Sequence, residues 1–181
     1  MFTDMRNGTA EDWKHIGRAH TEYFRKTPQH LMDMLKSLEQ VTLGFACDQL
    51  QHSLMTGTLA RRDGATDEEV AIALLHDIGK AVNIPNHGAI GAELMRPYVS
   101  DDAYHAIYNH QHFQGKYYYE FAGASPTMRD DHVQESWYPL AEKLVDRWDA
   151  PAFDPDFEVD SLESFEPLLN TIFAMPARAV G

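Results

Sequence analysis

Residues 68–80 read EEVAIALLHDIGK. The run from Val70 to Leu75 is apolar on nearly every side, which places it inside a fold rather than on its surface. It ends in His76-Asp77. A carboxylate carried into an apolar interior is costly unless it is paired or holds a cation, and the adjacent imidazole adds a second donor. Just upstream, Thr66-Asp67-Glu68-Glu69 reads as an N-cap with an acidic first turn. The segment is expected to be a central helix that opens at Thr66 and carries the His-Asp pair at its end.

Helical spacing continues in both directions. Ala46 to Arg61 forms a helix with Leu50, Leu54, Met55 and Leu59 on it and His52 near its middle. Gly64 is the expected C-cap after it. Downstream, Asn83-Ile84-Pro85-Asn86 is a loop, because the proline breaks the helix before it. His87 opens the next helix, GAIGAELMRPY. A further helix starts at Asp101-Asp102 and runs through Ala103, Ile107 and Tyr108 to His112, followed by the aromatic stretch Lys116 to Phe121 and a polar loop from Gly123 to Glu135. Tyr138 to Trp148 is helical, with Pro139 tolerated in the first turn, and ends at Asp149. An acidic, proline-containing loop leads to Ser161, which caps a last helix bearing Leu162, Phe165, Leu168, Leu169 and Ile172.

Near the N-terminus, Trp13, Ile16 and His20 follow a Thr9 start. Thr27-Pro28 interrupts them, and Leu31, Met32, Met34, Leu35 and Leu38 mark a second helix. No stretch shows strand alternation, and no repeat or linker is apparent. The expected architecture is one all-α bundle over residues 1–181, with residues 1–40 as a helical N-terminal extension.

With 181 residues, 44% hydrophobic and 24% charged, the chain is long enough to bury a core. A formal charge of −13 argues against nucleic acid, whose partners need a basic surface. It leaves room for a small anionic substrate beside local cations. No apolar run suggests a membrane span, and MFTDMRNGTAEDWKH lacks the pattern of a secretory signal. The single cysteine, Cys47, excludes an intrachain disulfide, so a reducing cytoplasm is the expected setting.

His52, His76, Asp77, His87 and Asp149, with one of His110 and His112, form an ordered series of nitrogen and oxygen donors. Such donors suit divalent iron, manganese or zinc. Each has an ordinary alternative on its own: His52 a histidine bonded to a carbonyl, His87 a loop histidine, Asp149 a helix-end carboxylate. His76-Asp77 is the strongest element, because Asp77 has two oxygens with which to bridge two ions. His110 and His112 lie two apart and cannot share a helix face, so one of them at most belongs to the series.

The series H…HD…H…H…D resembles the HD-domain superfamily, and within it the organophosphonate oxygenases. The resemblance runs from about Thr42 to Leu169. It rests on QLQHSLMTGTLARRDGATDEEVAIALLHDIGK, on HFQGKYY and on DRWDAPAFDPDFEVDSLESFEPLL. It implies a helical bundle around a dinuclear centre with His52, His76, Asp77, His87, His112 and Asp149 as ligands. His112 is preferred over His110 because Lys116 follows it four residues later, as in the family pattern. Lys116 is then a phosphonate contact, and Gln49 and Ser125 are further substrate-site candidates. The implied cofactors are two irons, Fe(II)/Fe(III), with O2 as co-substrate.

Departures from the pattern gather around the substrate. The family's Y-x-G-E reads Thr42-Leu43-Gly44-Phe45, so a glutamate that meets a primary ammonium is replaced by Phe45, which suits a quaternary ammonium by cation–π contact. The residue closing HD-x-G is Lys80, a candidate anion contact. The first arginine of R-R-W-D is Asp146, which leaves Arg147. The resemblance thus implies C–P cleavage of a 1-hydroxy-2-(methylated)aminoethylphosphonate, giving phosphate and an amino acid or betaine. A phosphohydrolase acting on a small phosphate ester is the alternative, because HDIGK suits both. A sensing domain that keeps metal for structure is a third reading, disfavoured because structural zinc sites are closed and four-coordinate.

Overall fold

Capping side chains start some of the helices, and proline in the first turn starts others. In the computed structural model, which describes residues 1–176, the order is α1 (Ala10–Phe24), α2 (Thr27–Lys36), α3 (Gln49–Arg62), α4 (Asp67–Leu75), α5 (His87–Met95), α6 (Asp101–Tyr118), α7 (Tyr138–Lys143) and α8 (Glu166–Phe173). The described residues contain no strand, so the fold is all-α. Residues 177–181, the end of the expected single domain, lie outside the described residues.

The caps account for the boundaries. Thr66 and Glu69 form a reciprocal capping box at the start of α4, and Ser100 caps α6 by accepting from the Ala103 N–H. Asp48 accepts from the Gln51 N–H at 2.8 Å, so α3 begins three residues after the expected Ala46. Gly64, just past its end, takes φ 72°, the left-handed conformation that favours glycine.

The apolar helix α4 sits in the middle. Val70 to Leu75 are all buried, and the helix packs against α3, α6, α8 and the segment carrying Trp148 and Asp149. Ile72, Leu74, Leu75, Met55, Leu35, Trp148, Phe165, Leu169 and Phe173 fill the core around it. Truncating one such leucine, Leu74, to alanine would cost about 2–5 kcal/mol.

The α-helix stops at Leu75, earlier than the apolar run implies. His76 and Asp77 occupy the turn, and Ile78–Ala81 continue as a 3₁₀ helix. The reason lies in Gly79, where a β-carbon would run into the His87 backbone. A missing side chain there lets the start of α5 close against the His-Asp turn. Two further departures shape the site. Helix α6 runs through the aromatic stretch to Tyr118, and α7 passes into a π-helix over Leu144–Asp149, a local widening often found at functional sites.

Candidate metal centre

Six side chains from five segments converge beside α4. His52 comes from the middle of α3, His76 and Asp77 from the end of α4, His87 from the first residue of α5, His110 from α6 and Asp149 from the last residue of the π-helix. In one pocket, His52 Nε2 lies 3.3 Å from His76 Nε2, 3.2 Å from Asp149 Oδ1 and 3.3 Å from Asp77 Oδ2. His76 Nε2 lies 3.4 Å from Asp77 Oδ2 and 3.5 Å from Asp149 Oδ1. In the neighbouring pocket, Asp77 Oδ1 is 2.9 Å from His87 Nε2 and 3.5 Å from His110 Nε2, and these two nitrogens are 3.1 Å apart. Donors bound at roughly 2.0–2.2 Å to a shared ion are spaced by about 3.0–3.6 Å. Both pockets have that spacing, and Asp77 offers one oxygen to each.

The rings are locked so that a bare nitrogen faces the centre. Each Nδ1 lies within hydrogen-bond distance of a backbone carbonyl: His52 with Ala152 at 2.8 Å, His76 with Ala73 at 2.9 Å, His87 with Ile84 at 2.7 Å and His110 with Ile107 at 2.6 Å. With Nδ1–H donating, the tautomer assigned from this network leaves every Nε2 a lone pair. Asp77 Oδ1 and Asp149 Oδ1 are buried and receive no hydrogen bond. Four imidazole Nε2 atoms and two orphaned carboxylate oxygens thus face one another across positions that a cation or, in its absence, protons would fill. A buried acceptor cluster of this kind fits cations, and two divalent ions match its two pockets.

The electrostatics agree. Burial opposes charge on His76, yet Asp77 and Asp149 outweigh it and push the imidazole up to about 10. For His52, burial is likewise overcome by the same two carboxylates, and its pKa rises. Burial works to raise Asp77, but His76 and Lys80 hold it well below the usual carboxylate range. Asp149 is lowered against the same penalty, chiefly by His76 and His52. His110 moves the other way, held down by burial. Without a cation, the excess negative charge draws protons onto the first pocket's rings.

A cavity of about 850 Å³ opens on the centre and is lined in part by His87 and Asp149, one ligand from each pocket. Its other walls are Leu43, Phe45, Lys80, Ile84, Gln111, Gln114, Tyr117, Tyr118, Ala150 and Phe153. Phe45 stacks on Phe153 at 4.7 Å, and Phe153 stacks on His52 at 4.4 Å. Among the described residues, Lys80 is the one lysine or arginine that lines the cavity. Its ammonium donates to Asp77 Oδ2 at 2.5 Å and to Gln49 Oε1 at 2.7 Å. Gln49 is buried, and its Nε2 donates to nothing among the described residues.

The structure brings together His52, His76, Asp77, His87 and Asp149, and it places Lys80 and Phe45 in the cavity wall, with Gln49 one hydrogen bond behind Lys80. It does not bring His112, Lys116, Arg147 or Ser125 to the site. The His112 ring turns away and stacks on His132, with Nδ1 3.1 Å from His132 Nε2. His110 takes the expected place, because Ala103, Ala106, Ile107, His110 and Phe113 form the buried stripe of α6 while two residues turn about 200° around a helix. Lys116 pairs with Asp146 at 3.2 Å, Arg147 with Asp63, and Ser125 is exposed beside Thr127. Four residues after His110 stands Gln114, not a lysine. The stripe periodicity was the available signal for His110; nothing local marked Gln111, Gln114 or Phe153.

The family described as HD domain has a model that matches residues 50–153, more than half of the chain and all six converging residues. No curated protein matches the chain.

Proposed function

The chain belongs to the HD domain family, whose members are generally metal-dependent enzymes, and from that premise we propose a dinuclear iron oxygenase. Its reaction is C–P cleavage of a small organophosphonate, a 1-hydroxy-2-aminoethylphosphonate methylated on nitrogen. One observation supports the dinuclear centre on which the reading stands: two adjoining donor pockets share Asp77, with four protein donors in the first and three in the second. The second pocket is therefore the less completed by protein, and the cavity reaches it at His87.

Bound there, two irons would supply oxygen activation, whereas a redox-inactive pair would supply Lewis-acid polarisation of a phosphoryl group. The chain's own groups do the rest. The four carbonyl-locked imidazoles keep the donors aimed without rearrangement. Lys80 holds an ammonium beside the bridging carboxylate, where it meets an anionic oxygen of substrate. Phe45, Phe153, Tyr117 and Tyr118 offer aromatic faces to an N-methylated ammonium, and no glutamate lines the cavity to favour a primary amine. The apolar wall also limits water around the reacting carbon. The overall change balances: the hydroxylated carbon gives up its C–H and C–P bonds and four electrons to one O2. The products are a carboxylate, inorganic phosphate and one proton.

Hydrolysis of a phosphate ester on the same ligands is the second reading. It is favoured by Lys80, 2.5 Å from Asp77, and by the absence of Lys116 from the wall. Anaerobic purification, metal analysis and an oxygen electrode separate the two. We expect two irons per chain and one O2 consumed per phosphate released from 1-hydroxy-2-(trimethylammonio)ethylphosphonate. Phosphate release from an ester with no oxygen uptake would replace the oxygenase reading with the hydrolase.

A further inference from the structure

The carboxylate of Asp149 is held from outside the pocket by one group. Gln114, one turn past His110 on α6, donates from Nε2 to Asp149 Oδ2 at 2.7 Å. The other oxygen, Oδ1, is then the one that faces His52 and His76 and lacks a hydrogen bond. An ionised carboxylate only accepts, so the contact fixes the glutamine amide as well: its NH2 faces Asp149. Gln114 also lines the cavity.

We propose that Gln114 is a positioning residue for the first metal pocket, orienting Asp149 so that Oδ1 is presented to the ion. It acts through Asp149 and is itself no ligand. The proposal rests on the dinuclear centre and does not depend on the identity of the substrate. Asp149 needs such a brace. It is the last residue of the π-helix. Unlike the four imidazoles, its side chain has no hydrogen bond to the backbone among the described residues, and a carboxylate free to rotate would present either oxygen. Partners of this kind change metal affinity by roughly 10–100-fold when removed.

The test uses the full-length apo protein and Co(II), followed by its visible absorption during titration. Wild type should bind two equivalents. His52→Ala and His110→Ala identify which equivalent belongs to which pocket. Gln114→Leu removes the donor, and Gln114→Glu puts an acceptor against Asp149. Both should weaken the first-pocket equivalent by about 10–100-fold, Gln114→Glu by more, and should shift its absorption bands while sparing the second equivalent. Asn109→Ala, elsewhere on α6 with its side chain bonded to the His105 carbonyl, should change neither. Thermal melts identify any variant that fails to fold, and the other glutamine variant then decides. Unchanged affinities in the folded variants, or equal weakening of both equivalents, would overturn the proposal. Failure of wild type to bind two equivalents would instead overturn the dinuclear centre, which keeps the two outcomes apart.

Discussion

The two pockets share Asp77 but are braced by different means. The first draws its donors from α3, from the end of α4 and from the π-helix, and it is tied across the fold. His52 Nδ1 reaches the Ala152 carbonyl 100 residues away in sequence, and Gln114 on α6 holds Asp149. In the second both rings are held locally, His87 and His110 each bonding the carbonyl three residues earlier, as His76 alone does in the first. The second pocket's closeness comes from missing side chains, Gly79 against the His87 backbone and Gly88 against the His110 ring. A seat fixed by tertiary contacts and completed by four protein donors should retain its ion. A seat with three donors beside a cavity should exchange one.

The largest effect should come from the residue that joins them. Asp77→Ala removes one oxygen from each pocket and should reduce metal bound per chain from two equivalents to none at micromolar metal, read by elemental analysis after desalting. Retention of both ions would mean that Asp77 does not bridge, and the comparison would have no basis. Asp77→Asn, which keeps shape but offers a neutral oxygen, should fall between the two.

Next come the separate pockets. His52→Ala should lose the tightly held equivalent and His110→Ala the exchangeable one, and turnover should fall to background in both. A chelator titration of the wild type should then show two phases, with the phase missing in His110→Ala the one that empties first. A single phase in the wild type would show that the difference in bracing has no consequence for affinity.

Acidity should separate the pockets less sharply. In the metal-free protein, His76 keeps a proton up to about 10, and an ion needs that same Nε2. Metal uptake by the first pocket at neutral pH therefore expels protons. Its affinity should rise about tenfold per pH unit for each proton displaced and level off as pH passes 10. His110 is held low by burial, so its nitrogen is free at neutral pH and the second pocket should show the shallower slope. Proton release during calorimetric titration in two buffers of different ionisation enthalpy measures this. Equal slopes would remove the electrostatic part of the contrast.

How far the sequence disclosed this centre follows the same division. The bundle and the caps at Thr66 and Gly64 were legible, because apolar periodicity and capping chemistry are local signals, whereas the set His52, His76, Asp77, His87 and Asp149 came from the ordered series and the family resemblance it carries. The cavity wall was not legible. Phe153 and Gln114 meet the site only through tertiary placement, and Lys116, Arg147 and Ser125 resembled a pattern whose register this chain does not keep. Asp146 takes Lys116, Tyr117 and Arg129 into a separate network, which accounts for the missing cation.

His112 is the smallest effect and the sharpest check on that lesson. A motif register favoured it over His110, whereas the helix places His110 at the centre of the buried stripe and His112 on the opposite side. There His112 packs against His132, and burial lowers its pKa. His112→Ala should leave both metal equivalents and their chelation phases unchanged and should cost about 1 kcal/mol of stability, the scale of one hydrogen bond. His110→Ala, two residues away, should remove a whole equivalent. If the two substitutions exchanged outcomes, the backbone register of α6 would have to turn by half a rotation, and Gln114 would leave Asp149 with it.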